Sequence, residues 1–320
     1  MTQYKVFITR KIPEAGIRIL KEAGYKVDIH EASTPLSRET FLQKIADIDA
    51  VIPMLSEDIN KEAIDQAPGL KVIANYAVGY NNIDVEYAQS KNIYVTNTPD
   101  VLTEATADLT WALILSTTKR IPESDQFVRQ GKFMGWEPLL MLGDDVSEKT
   151  LGIVGAGRIG QAVGQRAVGF NMNILYHSPS RKKEFEAKTG AFQCSLEELL
   201  EKSDIITIHC PLNDQTKYLI NSNNITKMKK RSFLINTSRG PVVEENALAE
   251  ALKNGHLGGA GLDVYEFEPE IHPELLKLKN VVLVPHIGSA TKETRSAMAR
   301  IAAENVKSVL SGNKPLNPVW

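Results

Sequence analysis

The chain has 320 residues, 42% of them hydrophobic and 24% charged. That length exceeds what a single core usually fills, so two domains are expected, and the ordinary composition excludes a disordered or low-complexity protein. Lys and Arg (37) nearly cancel Asp and Glu (39) for a net charge of −2, which excludes a broad electrostatic surface for nucleic acid or anionic lipid and leaves a small molecule as the expected partner.

The first residues run straight into a strand pattern without a signal-peptide apolar region, and no apolar run reaches membrane-spanning length. A cytoplasmic protein with no membrane partner is expected. Cys194 and Cys210 are the two cysteines, too few for a disulfide scaffold or the usual four-ligand thiolate site, so no metal is expected.

Short apolar runs then alternate with amphipathic helical patterns. In order they are Val6-Phe7-Ile8, a helix over 14–22, Val27-Asp28-Ile29, Ala50-Val51-Ile52, a helix near 61–66, Leu70 to Ala74, a helix near 85–90, and Ile93-Tyr94-Val95. Such alternation predicts βαβ units, and five strands complete a small parallel sheet before Thr98. Residues 103–118 form a long helical pattern, apolar on most faces, with Glu104 and Asp108 in its first turns where acids favour the helix dipole. A helix of this kind is expected to lie buried between domains or subunits. After Pro122 the chain turns irregular through Gly131, Gly135, Pro138 and Gly143, either as a functional loop or as a surface excursion.

A second alternating series follows: Thr150 to Val154, a helix from Arg158, Ile174 to Tyr176, Ile205 to Ile208, Phe233 to Asn236, Gly259 to Leu262, and Val281 to Val284. These are six strands of a doubly wound sheet. The last helix, 292–310, is expected to rejoin the first domain. The expected fold is therefore α/β with two Rossmann-like doubly wound parallel-sheet domains. A discontinuous substrate domain, 1–98 with 288–320, carries an inserted dinucleotide-binding domain, 99–287.

Between the first strand and helix of the second series stands Gly155-Ala156-Gly157-Arg158-Ile159-Gly160, a G-x-G-x-x-G turn. The first glycine permits the tight turn, the second lets backbone amides approach a pyrophosphate, and the third allows close helix packing, with the helix N-terminus facing the anion. After the next strand comes Tyr176-His177-Ser178-Pro179-Ser180-Arg181-Lys182-Lys183, with no acid before Glu184. NAD-selective enzymes carry an acid there. Hydroxyls at Ser178 and Ser180 with the Arg181 guanidinium suit a 2′-phosphate instead, so NADP(H) is favoured, with NAD(H) as the alternative. The competing reading makes Arg181 to Lys183 a solvated charge run opening a helix.

Three further motifs carry chemistry: Asn236-Thr237-Ser238-Arg239-Gly240, Asp263-Val264-Tyr265-Glu266-Phe267-Glu268-Pro269 and Pro285-His286-Ile287-Gly288. With Asn75 to Asp84, Thr96 to Thr103 and the glycine turn, these motifs make the chain resemble the D-isomer-specific 2-hydroxyacid dehydrogenases over essentially its whole length, most of all the glyoxylate/hydroxypyruvate reductases. The resemblance implies an NAD(P)-dependent oxidoreductase reducing a small 2-keto acid to the D-2-hydroxy acid. It makes His286 the proton donor, a role suited to imidazole near neutral pH. Glu268 is then hydrogen-bonded to the far nitrogen of that ring, fixing its tautomer. Arg239 holds the substrate carboxylate and polarises the carbonyl through a fork that Lys would not reproduce.

The resemblance also implies cofactor contacts from Gly155, Ala156, Gly157, Arg158, Ile159, Cys210, Pro211, Thr237, Ser238, Asp263 and Gly288, with Asp263 tuning the cofactor pocket. The backbone amides of Val78 and Gly79 receive the substrate carboxylate, with Leu55 and Ser56 on a facing loop. Helix 103–118 matches the family's dimer-forming helix, which implies a homodimer. Two departures stand out: Asn81 replaces an Asp of many relatives, and Leu139-Leu140-Met141 follows Trp136 where some relatives carry a second Trp. The second departure opens a wider pocket and 2-ketogluconate as an alternative substrate. A phosphoglycerate dehydrogenase-like enzyme and a dinucleotide-sensing corepressor-like protein are the other readings.

Overall fold

A computed structural model describes residues 3–320. The chain divides into two compact units, Met1–Leu102 with Ser289–Trp320, and Thr103–Gly288. The crossings fall four residues later than the sequence break at 98 and one residue later than that at 287, so Gly288 groups with the second unit.

In the first unit β1 (Lys5–Ile8), β2 (Lys26–Ile29), β3 (Ala50–Ile52), β4 (Val72–Ala74) and β5 (Tyr94–Thr96) form a parallel sheet in the order β2-β1-β3-β4-β5. The helices between them are α1 (Glu14–Glu22), α2 (Arg38–Ile45), α3 (Lys61–Gln66) and α4 (Val85–Ser90). Ser37, Asn60 and Asp84 cap α2, α3 and α4 by accepting from the amides of Thr40, Ala63 and Tyr87, which satisfies donors that a helix start leaves open. The C-terminal helix α11 (Lys292–Leu310) packs on α1 in this unit. Contact is close enough that a Cβ on Gly16 would lie 2.4 Å from the Ala299 carbonyl oxygen.

The second unit holds a seven-stranded parallel sheet, one strand more than expected. Its strands are β6 (Thr150–Val154), β7 (Asn173–His177), β8 (Phe192–Gln193), β9 (Ile205–Ile208), β10 (Phe233–Asn236), β11 (Gly259–Leu262) and β12 (Val281–Leu283), ordered β12-β11-β10-β9-β6-β7-β8. The added strand β8 has two residues, too few for a period-2 pattern to announce it. Side chains alternate between faces. Leu151, Ile153, Ile205, Phe233 and Ile235 join one core layer with α5 (Thr103–Thr118) and α7 (Arg158–Ala167). Val154, Ile206, Ile208 and Leu234 join the other, against α9 (Leu196–Lys202) and α10 (Glu245–Lys253). Burial on both faces explains why these strands read as continuous apolar runs.

One expectation is corrected. Residues after Pro122 do not turn irregular at once, because α6 (Ile121–Arg129) comes first with Pro122 in its opening turn, where the missing amide hydrogen costs nothing. Helix α5 is buried against its own unit's sheet: Ala107, Trp111, Leu113 and Ile114 belong to the α7-side core. Gly259 and Gly261 make room for it, since a Cβ on either would come within about 3 Å of Thr117 or Leu113. The remaining short helix α8 (Lys183–Thr189) follows β7.

Gly16→Ala is expected to destabilise the first unit by about 1–3 kcal/mol, because the new methyl group meets main chain rather than a movable side chain. Denaturant unfolding of the variant measures this.

Candidate active site

In a parallel sheet all strands end at one edge, and the place where strand order reverses leaves a crevice there. In the second unit that place lies between β6 and β9. The glycine turn leaves β6 at this point. Gly155 has φ 94°, and a Cβ on it would stand 2.6 Å from the Cys210 amide nitrogen. A Cβ on Gly160 would stand 2.2 Å from the Gly155 carbonyl oxygen. Gly157, by contrast, faces open space at the N-cap of α7, whose first turn carries no acid. Ala156, Arg158 and Ile159 complete the turn. Across the crevice Nε2 of His209 is sealed from solvent with no hydrogen-bond partner among the described residues. An open glycine cradle, amides at a ten-residue helix start and an orphaned buried nitrogen fit a dinucleotide's phosphates and polar edges.

The turn motifs of β10, β11 and β12 meet at the same edge. Gly240 brings the first two together: a Cβ there would fall 1.8 Å from the Tyr265 carbonyl oxygen. Asn236 shapes the Arg239 turn, accepting from the Ser238 amide (3.0 Å) and hydroxyl (2.9 Å) and donating to the Arg239 carbonyl (3.0 Å). The Arg239 guanidinium donates to the Ser238 carbonyl at 2.7 Å. Its crowded surroundings pull its pKa below the ordinary value, against the opposing charge of Glu268.

His286 Nδ1 lies 2.9 Å from Glu268 Oε2, and Glu268 Oε1 accepts from the Tyr265 amide at 3.0 Å. Burial pushes the Glu268 carboxyl up, but His286, the Tyr265 amide and Arg239 together hold it below its ordinary value. The pair's contribution to stability is therefore present above the ordinary carboxylate range and lost as pH falls through the lowered value. His286 sits in the left-handed region with φ 53°, a conformation a non-glycine residue keeps when its surroundings impose it.

Asp263 imposes it. This residue is 1% exposed, and its two carboxylate oxygens accept from the Ile287 amide (2.6 Å) and the Gly288 amide (2.8 Å). Burial raises its pKa, with the Ile287 amide, the charge of His286 and the Gly288 amide opposing. Both oxygens are thus engaged in holding the His286 turn. Thr106 on α5 donates to the Gly288 carbonyl (3.2 Å), and the Tyr265 hydroxyl donates to the Val284 carbonyl (2.9 Å).

Nearby, Thr110, Thr237 and His209 form a chain, with Oγ1 to Oγ1 at 2.9 Å and Oγ1 to Nδ1 at 3.5 Å. Burial drives the His209 imidazole down to about 3 and the Cys210 thiol up to about 11. Pro211, the next residue, is exposed. Past β7, Ser178 is half-buried and Ser180 exposed, and Lys182 donates to Ser180 Oγ at 2.7 Å. Arg181 does not stand alone: Glu186 holds its guanidinium at 2.8 Å and accepts from Tyr176 at 2.7 Å.

In the first unit, the amides of Leu55, Ser56, Val78 and Gly79 donate no backbone hydrogen bond among the described residues. The Ser56 hydroxyl donates to Glu57 (2.7 Å), so that proton is engaged. Sequence reasoning passed over Asn236, Tyr265 and Thr106. Only the close glycine at 240 and the polar pattern around it signalled them.

The doubly wound sheet with its glycine turn, and an imidazole–carboxylate pair beside an arginine, define an oxidoreductase with a dinucleotide-binding domain. Comparison with known proteins specifies which kind. The model of the D-isomer specific 2-hydroxyacid dehydrogenase NAD binding domain matches residues 111–288. A glyoxylate reductase of Thermococcus kodakarensis is 52% identical over 97% of this chain and 94% of its own, and one of Pyrococcus horikoshii is 50% identical over the same shares. Among solved structures, a glyoxylate reductase from Paecilomyes thermophila superposes with TM-score 0.87 at 31% identity, over 100% of this chain and 99% of that one. An NADPH-dependent glyoxylate/hydroxypyruvate reductase from Sinorhizobium meliloti does so with TM-score 0.84 at 32% identity, over 99% and 97%. The chain belongs to the D-isomer specific 2-hydroxyacid dehydrogenase family.

Two outcomes test this geometry. Asp263→Asn cannot accept from both amides, and kcat is expected to fall on the order of 10–100-fold with circular dichroism unchanged. His209 is neutral when folded, so stability should be full above its ordinary value of 6.5 and decline as pH drops toward 3. The limiting slope is about 1.4 kcal/mol per pH unit. Melting curves between these limits should lose that component in His209→Asn.

Proposed function

We propose that the protein reduces small 2-keto acids of the glyoxylate and hydroxypyruvate type to D-2-hydroxy acids. The observation that carries this reading is the His286–Glu268 pair at 2.9 Å beside Arg239. When bound, a nicotinamide dinucleotide would supply the hydride that such a reduction needs. His286 gives the resulting alkoxide its proton from Nε2, because Nδ1 faces Glu268. Glu268 accepts the Nδ1 hydrogen and so orients the ring. Arg239 supplies charge to the substrate carboxylate and carbonyl. In the first unit, taken by itself, the amides of Val78, Gly79, Leu55 and Ser56 are carboxylate donors. The turn Gly155 to Ile159, with Cys210, Pro211, Thr237 and Ser238, would hold the dinucleotide. The names of the glyoxylate reductase relatives support the substrate class.

For the dinucleotide we favour NADP(H). No acid follows β7 before Glu184, and Ser178, Ser180 and Arg181 offer donors to a 2′-phosphate. The NADPH-dependent reductase from Sinorhizobium meliloti supports the same choice. We further propose a homodimer. Phe133, Met134 (88% exposed), Trp136 (83% exposed), Leu139 and Leu142 are exposed apolar side chains beyond α6 that a second copy would cover.

Absorbance assays with glyoxylate, hydroxypyruvate, pyruvate and 2-ketogluconate, each with NADPH and NADH, test the proposal. Turnover of at least one of the first two is expected. Negligible turnover of all four alongside tight dinucleotide binding would make this a binding protein instead. His286→Ala should lower kcat by about 100-fold or more with dinucleotide affinity unchanged. Arg181→Ala should cut the NADPH/NADH ratio of kcat/KM by about tenfold, and an unchanged ratio would sink the assignment.

A further inference from the structure

The loops that carry the Leu55–Ser56 and Val78–Gly79 amides are joined by a buried polar network that the proposed reaction does not use. Glu57 is 4% exposed. Its Oε2 accepts from the Met54 amide at 2.8 Å and from the Thr9 hydroxyl just past β1, and its Oε1 accepts from the Ser56 hydroxyl at 2.7 Å. This carboxylate thereby fixes both ends of the turn that displays Leu55 and Ser56. Asn82 reaches the same turn from the neighbouring loop, its Nδ2 donating to the Met54 carbonyl (3.2 Å) and the Glu57 carbonyl (3.1 Å). It also pairs reciprocally, carboxamide to carboxamide at 3.3 Å, with Asn75. Asn75 is fully buried and donates to the Gly79 carbonyl at 2.8 Å. Backbone bonds close the frame, from the Tyr76 amide to the Pro53 carbonyl (3.0 Å) and from the Ile59 amide to the Asn82 carbonyl (2.8 Å).

Stability alone gives no reason for these residue types. Desolvating a carboxylate and two carboxamides is costly, and apolar side chains of similar volume would fill the space at least as well. What a satisfied polar network adds is a single fixed geometry between the segments it joins. Here those segments are the two that present unbonded amides.

We propose that Glu57, Asn75 and Asn82 are positioning residues that set the Leu55, Ser56, Val78 and Gly79 amides as one anion cradle. The inference rests on the assignment of those amides to the substrate carboxylate. Amides that grip the carboxylate do so before and during the reaction alike, so loosening them removes uniform binding, which raises KM and leaves kcat nearly unchanged.

The test uses the full-length protein, with glyoxylate varied at saturating dinucleotide, on Asn82→Ala, Asn82→Asp, Glu57→Ala and Glu57→Gln. Asn82→Asp keeps the shape but turns the donors into acceptors facing two carbonyls. Both Asn82 variants and Glu57→Ala should raise KM about tenfold or more, with kcat within about threefold of the parent. Glu57→Gln should restore the parental KM, because its carboxamide oxygen can take the Met54 amide and Thr9 hydroxyl while its NH2 donates to Ser56 Oγ. Amide hydrogen exchange on the same variants, with thermal melting as the check on folding, should rise in residues 53–57 and 75–83 and nowhere else in the first unit. An unchanged KM in a folded, active variant overturns the inference, as does exchange in both loops at the parental rate. Should the parent protein reduce no 2-keto acid, the substrate reading fails and the exchange result alone decides whether the network holds the loops.

Discussion

Asp263 follows β11 directly, with both carboxylate oxygens turned onto the amides of Ile287 and Gly288, and the geometry at this edge of the sheet follows from that clamp. Two charge-assisted bonds inside the protein hold a turn whose middle residue, His286, takes a left-handed backbone. The turn aims Nδ1 at Glu268, and Glu268 is itself held by the Tyr265 amide two residues past Asp263. One short segment, 263–268, therefore supplies the clamp, the carboxylate partner and the tyrosine that ties down Val284. Asp263 is raised by burial while Glu268 is held low by its neighbours. Burial and partners separate two nearby carboxylates into an anchor and an ion-pair partner.

The sheet makes such a cluster inevitable once the strands are parallel. Each of β6, β9, β10, β11 and β12 ends at the same edge, so turns far apart in sequence collect there. Helix α5 binds this edge from one face. Its buried threonines reach Gly288 and Thr237, and the glycines of β11 let it approach near enough to do so. In the first unit the same logic gathers the loops after β1, β3 and β4, and there polar side chains rather than a helix lock them.

Residues whose chemistry depends on side-chain identity were legible in the sequence. His286, Arg239, Glu268 and the glycines from 155 to 160 stand in local motifs, and the alternation of apolar runs and helical patterns marks the two parallel sheets. Less legible was everything set by direction. Asp263 could be named from its motif, but nothing local says that its oxygens face the amides of 287 and 288. Glu57 and Asn82 read as ordinary loop residues because burial depends on what folds over them. Strand β8 is too short to show a period, and the helical stretch 121–129 was masked by a proline that sits harmlessly in its first turn. The segment after β7 is a mixed case: Arg181 is visible in the sequence, but its pairing with Glu186 is not.

Gly240 carries a consequence for how such a protein can change over generations. Its close neighbours, the carbonyl of Tyr265 and the amide of Glu266, are main chain. Replacing a neighbouring side chain cannot open space for a Cβ there, so compensation by a second substitution is closed at this position. Phe267 and Ile287, flanking the same turns, are exposed and meet no such limit. Variation is thereby channelled: the framework that places Arg239 against Glu268 stays fixed, while the rim around it remains open to drift.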